Sequence, residues 1–260
     1  MTAERVIDTH LHLSPDVSRD AKVAAQSLAT DLAANNVTRG IVLHLQAQPW
    51  SAEEFAEALA PHPNLRGFIN IHPSEADASK KLRDGIEKLK FVGLKLHPRL
   101  QRFDMSSSDT GRLVAAAGEM NVPVLIDAFP DGDWLRMGFN PLAFATLAEN
   151  CPNSRIVVAH FGGHHCLDFM MLAKRLPNIW FDLSFSLLYY AGSPVVGNLL
   201  YCCRSMGYRR VMYGSDYPDR SIAVSMERSL QTFSDGGISV DNVRALVWKN
   251  AVECFGWTDL

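Results

Sequence analysis

The stretch "IDTHLHL", Ile7 to Leu13, sets Asp8, His10 and His12 at alternate positions of an apolar run. Alternate residues of a β-strand point to one face, so the spacing predicts three ionisable side chains looking the same way. Such a trio is either a hydrogen-bonded structural cluster or the first part of a divalent-metal site. Later apolar runs also end in polar residues: His44; Asn70 and His72; Lys95 and His97; Asp127; His160; Asp182 and Ser184; Asp216. Six histidines, His10, His12, His44, His72, His97 and His160, lie at such ends. If the His-x-His pair, a residue of the fifth run, His160 and Asp216 converge, imidazoles and carboxylates supply suitable ligands for a divalent cation. With a coordination position left open, such a cation lowers the pKa of a bound water from near 16 to roughly 7, which makes a hydroxide nucleophile available.

Each residue also has a plainer reading. His44 is a hydrogen-bonded residue or a substrate contact, and His72, just before Pro73, closes its strand or meets substrate. Asp8 reads as the acceptor that fixes the ring of a metal-bound histidine, and Asp182 as part of a polar barrel layer. His164 and His165 follow two glycines and are expected to begin a helix.

The elements that would position these residues alternate. The strand-like runs are "RVIDTHLH", "TRGIVLHL", "LRGFINIH", "FVGLKLHP", "VPVLIDAF", "SRIVVAHF", "NIWFDLSF" and "RRVMYGSD". Most are rich in Val, Ile, Leu and Phe, as in a parallel sheet buried on both faces. Helix-like runs lie between them, "SSSD" at residues 106–109 reads as a helix N-cap region, and "SIAVSMERSLQTFSDGG" is the expected eighth helix. Eight such units predict one (β/α)₈ barrel domain over residues 1–260, with "DNVRALVWKNAVECFG" as an extra C-terminal helix packed on the outside. An open doubly wound sheet is the runner-up, weakened because no G-x-G-x-x-G follows the first strand. In a barrel, residues at strand C-terminal ends share one mouth.

Composition narrows the function classes. The 260 residues are 47% hydrophobic and 20% charged, with a formal net charge of −3, which gives no basic nucleic-acid footprint. No apolar run is long enough for a membrane span, and the first ten residues lack a secretion-signal pattern, so a cytoplasmic location is expected. Five irregularly spaced cysteines argue against a disulfide framework.

Together, "DTHLH", "GLKLHP", "VVAHFGG", "YGSDYP" and "KNAVECFG", in this order, resemble the amidohydrolase superfamily. They look most like the amidohydrolase-related branch that includes aminocarboxymuconate semialdehyde decarboxylase and pyrone-dicarboxylate lactonase. The resemblance implies a distorted barrel holding one or two divalent metals. It makes His10 and His12 ligands, His160 a ligand or a base and substrate polariser, and Asp216 a metal contact that shuttles the proton of the attacking water. Lys95 falls where some members carry a carboxylated lysine, but a cationic substrate clamp is the expectation here. Members usually have histidine where this chain has Asp127. The expected metal set is therefore His10, His12, Asp127, His160 and Asp216. Zinc is the expected cation, with manganese or iron as alternatives that the more anionic donor set favours.

The leading expectation is a metal-dependent hydrolase acting on an amide, ester or lactone of a small carboxylated organic acid, with Asp216 and His160 catalytic. Substrate contacts are expected from Lys95, His97, Arg99, His44 and His72, with Arg102 available to a substrate carboxylate. A non-oxidative decarboxylase of an aromatic or dienoic acid is the second reading, and a degenerate small-molecule-binding barrel the third. Aromatic and charged loops fit an organic acid or packing against a second copy of the chain.

Overall fold

The computed structural model describes residues 5–257, so residues 1–4 and 258–260 of the expected single domain lie outside it. Eight parallel strands follow one another in sequence order around a barrel: β1 Ile7–Leu11, β2 Arg39–Leu43, β3 Leu65–Asn70, β4 Gly93–Leu96, β5 Val124–Ile126, β6 Ile156–Val158, β7 Ile179–Asp182 and β8 Val211–Met212. The sequential order excludes the doubly wound alternative, whose strand order reverses part-way. Beyond the short β8, the chain closes the barrel onto β1. Thr9 N–H donates to Tyr213 O (3.1 Å), Asp216 N–H to His10 O (2.9 Å), and His12 N–H to Tyr217 O (2.8 Å).

Alternation along the strands builds two apolar layers. Ile7, Ile41, Leu43, Phe68, Leu125, Val157, Trp180 and Met212 belong to the barrel-interior cluster. Their neighbours Val42, Ile69, Leu94, Leu96, Val124, Ile126, Val158 and Phe181 pack outward against the helices. Both faces are buried, so the strands read as continuous apolar runs rather than alternating ones.

The major helices lie close to the expected runs. Ser107 in the anticipated cap region accepts from Thr110 N–H (3.2 Å) ahead of the helix Ser108–Glu119. The eighth helix spans Ile222–Asp235. The C-terminal helical run is Val240–Arg244, a π-helical turn Ala245–Lys249, and Asn250–Phe255. Its first part packs as expected in the outer cluster through Val243, Leu246 and Val247, and its last part turns under the barrel. Ala251, Cys254, Phe255 and Trp257 join the interior cluster, and Asn250 donates to Tyr208 O and Val211 O at the start of β8. The guanidinium groups of Arg39 and Arg66, at the starts of β2 and β3, lie 5.0 and 4.5 Å from the Trp257 ring. The run thus seals the barrel opposite its mouth. No helix among the described residues is long and apolar enough to cross a membrane.

Candidate metal centre

One cavity of about 220 Å³ at the strand C-terminal ends is lined by His10, His12, Lys95, His97, Arg99, Asp127, His160 and Asp216, together with Pro218 and Asp219. Strand alternation explains this membership. Leu125 and Asp127 share the inward face of β5 and its extension, and Lys95 and His97 share that of β4. His44 has the parity of outward-facing Val42. It packs on Phe55 (5.1 Å between ring centroids), and its Nε2–H donates to Trp50 O (3.1 Å). His72 is also outside this cavity: its Nε2–H donates to Gln101 O (2.9 Å) and its Nδ1 accepts from Ser74 N–H (3.1 Å).

Strand β1 departs from the simple alternation. Its register with β2 runs Ile7–Arg39, Asp8–Gly40 and then Leu11–Val42, a shift of one residue. Such a slip changes which face later side chains occupy. Ile7 and the pair His10/His12 all point inward, while Asp8 does not fix a histidine ring. Its Oδ1 accepts from the backbone N–H groups of His10 (3.1 Å) and Ser215 (2.9 Å). Burial pushes its carboxyl up to about 7, against these hydrogen bonds.

The acceptor for His10 is Asp182, whose Oδ2 takes the Nδ1–H at 3.1 Å. His12 Nδ1–H donates to Leu43 O at 2.9 Å. Burial lowers the pKa of both imidazoles, outweighing Asp182 at His10; at His12 the charges of His10 and Lys95 lower it further. A neutral imidazole that donates through Nδ1 keeps its lone pair on Nε2. The two Nε2 atoms converge on one oxygen: Asp216 Oδ1 is 3.2 Å from that of His10 and 3.8 Å from that of His12. Ligands about 2.0–2.2 Å from one ion stand at separations of this order, and two imidazoles with a carboxylate are an established donor set for zinc or iron. The residues fit a divalent cation.

Asp127 and His160, both expected ligands, pair with each other. His160 Nε2–H donates to Asp127 Oδ1 at 3.1 Å, and its Nδ1–H faces Ser184 O (3.1 Å) and Oγ (2.9 Å). With acceptors at both nitrogens the ring favours its charged form. Burial opposes this, but the Asp127 hydrogen bond and the charges of Asp216, Asp127 and Asp182 raise the pKa to about 9. Asp127 is held well below the usual carboxylate range: burial would raise it, but His97, His160 and Lys95 outweigh that. Its Oδ2 lies 3.6 Å from His97 Nδ1 and 4.0 Å from Arg99 Nε. Burial pushes His97 down to about 3, helped by Lys95 and Arg99. Burial likewise lowers buried Lys95, against the pull of Asp127, Asp216 and Asp182.

His10, His160 and Asp182 form a second ligand-bearing group. The Ser184 hydroxyl already bridges all three side chains, so this group is a hydrogen-bonded layer beneath the mouth. His160 and Asp216 both have left-handed backbones (φ 59° and 60°), a conformation costly for residues with a Cβ and frequent at functional sites. Gly162 follows in the same conformation, where a Cβ would come 2.1 Å from Phe169. Three features lay beyond the sequence reading: Asp219 in the mouth, the ring-holding role of Asp182, and Arg136. Arg136 lines an adjoining cavity of about 510 Å³ with Arg99, Arg102 and Asp133. Asp219 directly follows the "YGSDYP" stretch, whereas no periodicity marks Arg136.

The fold is an eight-stranded parallel barrel whose mouth gathers side chains able to hold a divalent cation. The chain belongs to the amidohydrolase family, whose sequence profile, described as "Amidohydrolase", matches residues 7–257. No curated protein matches it in sequence. Among solved structures, an uncharacterised TIM-barrel protein from Bordetella bronchiseptica aligns with a TM-score of 0.80 at 15% identity, covering 97% of this chain and 98% of that one. A probable 2-pyrone-4,6-dicarboxylic acid hydrolase from Acinetobacter baumannii, with citric acid bound, aligns at 0.72 and 16% identity over 96% and 99%. The 5-carboxyvanillate decarboxylase of Sphingomonas paucimobilis aligns at 0.69 and 15% identity over 98% and 99%. At these identities the likeness establishes the fold.

Proposed function

We propose that this chain is a cation-dependent hydrolase that cleaves an ester, lactone or amide of a small organic acid. The observation that carries the reading is the convergence of His10 Nε2 and His12 Nε2 on Asp216 Oδ1, with each ring's Nδ1 engaged elsewhere. His10, His12 and Asp216 would hold the cation, with zinc as the expected ion. When bound there, a divalent cation supplies Lewis acidity and lowers the pKa of a water toward neutrality.

The surrounding residues divide the remaining work. Asp216 accepts the proton of the attacking water and passes it to the leaving oxygen or nitrogen, so the elements of water add across the scissile bond. His160, held as an imidazolium by Asp127, presents positive charge to the oxyanion that develops on the carbonyl. Lys95 and Arg99 line the same cavity and attract a substrate carboxylate, and Arg102 and Arg136 extend this cationic wall outward. The fold shared with a probable pyrone-dicarboxylic acid hydrolase supports an organic-acid substrate.

Lys95 and Arg99 in the same mouth also favour a second reading, loss of CO₂ from a carboxylate held there, and a decarboxylase shares the fold. Screening the cation-replete protein against lactones, esters, small amides and aromatic acids separates the two. Hydrolysis releases acid without CO₂. CO₂ evolution would transfer the assignment to the second reading. A cation content below a tenth of an equivalent, with no turnover, would leave a binding barrel.

A further inference from the structure

Two histidines of different chemistry meet over one small polar bridge. Asp182 Oδ2 accepts His10 Nδ1–H (3.1 Å), while its Oδ1 accepts the backbone N–H groups of His160 (3.1 Å) and Ser184 (3.0 Å). The Ser184 hydroxyl donates to Asp182 Oδ1 and lies 3.1 Å from His10 Nδ1 and 2.9 Å from His160 Nδ1. The Ser184 carbonyl is 3.1 Å from His160 Nδ1. Asp182 and Ser184 are fully buried, and the two rings stand 4.9 Å apart, centroid to centroid.

We infer that Asp182 and Ser184 are positioning residues that jointly orient His10 toward the cation and His160 toward the substrate. This rests on the metal reading of the mouth. The physical argument is one of acceptors. A single carboxylate dictates that His10 carries its proton on Nδ1, which leaves Nε2 for the cation. The other oxygen of that carboxylate holds the amide of His160 in its left-handed conformation, and the serine fixes the His160 ring. A rotation at Asp182 therefore disturbs both histidines together. Sequence proximity points instead to Asp8, whose carboxylate accepts from the backbone amides of His10 and Ser215 rather than from a histidine ring.

The test uses Asp182→Asn and Ser184→Ala, with His44→Ala as a control outside the mouth. Cobalt(II) is titrated by visible absorption, and the His10 tautomer is read by long-range ¹⁵N correlation before cobalt is added. Asp182→Asn is expected to weaken cobalt binding by about 10- to 100-fold and to remove the uniform Nδ1–H tautomer, while the control changes neither. Ser184→Ala, which deletes only a hydroxyl, is expected to weaken cobalt severalfold and to shift the His160 Nδ1 resonance. If Asp182→Asn fails to fold, Ser184→Ala decides alone. Unchanged cobalt affinity and unchanged ring resonances in a folded variant would overturn the inference. A wild type that binds no cobalt, with the uniform tautomer still lost in Asp182→Asn, would defeat the metal reading but leave the positioning roles standing.

Discussion

His10 and Asp216 meet twice across the seam that closes the barrel: Asp216 N–H donates to His10 O at 2.9 Å, and His10 Nε2 lies 3.2 Å from Asp216 Oδ1. The candidate centre is thus built where the first strand joins the segment after the last. A cation there ties residues 206 positions apart in sequence, so binding is linked to stability. At a free cation concentration one hundred times Kd the native state gains about 2.7 kcal/mol. Differential scanning calorimetry is expected to show Tm falling by about 5–10 °C on chelation and recovering with zinc. An unchanged Tm would argue against a cation bridging the seam.

The His12 side chain donates one hydrogen bond, to Leu43 O, and is 14% exposed. His12→Ala is expected to cost only about 1 kcal/mol of stability, the size of one hydrogen bond. It should nonetheless reduce turnover on any substrate found by at least about 100-fold, as expected when a group acting at the reacting centre is lost. Denaturant melts and steady-state kinetics on the same sample separate the two effects.

The His160–Asp127 pair makes stability depend on pH. His160 has its folded pKa raised to about 9 from 6.5, so its contribution is complete below about pH 6.5 and is lost as pH rises through about 9. Urea unfolding of chelator-treated protein should show stability declining between pH 6.5 and 9. Asp127→Asn should flatten that decline; a profile equally steep in the variant would contradict the pairing.

Gly214, two residues past β8, abuts the site. A Cβ there would lie 2.8 Å from His10 Cβ and 3.1 Å from Ser184 Cβ, neither of which can move without its backbone. Gly214→Ala is expected to destabilise by about 1–3 kcal/mol. Because the displaced atoms belong to His10 and Ser184, cation affinity should fall as well, measurable by competition with a chromogenic chelator.

Arg102 and Arg136 line the cavity beside the mouth and share it with Arg99. If the substrate carries a second carboxylate, Arg102→Gln and Arg136→Gln should each raise KM about tenfold with little change in kcat, the loss of one exposed charge-assisted contact. A fall in kcat without a change in KM would remove these arginines from substrate binding.

Much of the fold is legible in the sequence because strands buried on both faces stand out as short Val/Ile/Leu runs between amphipathic helices. The short helices Pro98–Gln101, Gly132–Arg136 and Ser186–Tyr189 escape because one turn has no period to detect. At the site, alternation correctly aligns His10 with His12 and Lys95 with His97, yet strict alternation also assigns Asp8 to their face. The one-residue slip in β1 has no marker in "IDTHLHL". His44 ends a strand like the others, but its parity turns it toward Phe55. The Asp182–His10 contact joins residues 172 apart in sequence, and no spacing rule reaches that far.

Elemental analysis of the purified protein, never exposed to chelator, tests the central claim most directly when run beside a His10→Ala, His12→Ala double variant. The account predicts about one equivalent of a divalent metal in the wild type and essentially none in the folded double variant. Less than a tenth of an equivalent in the wild type, or equal metal content in both proteins, would contradict it.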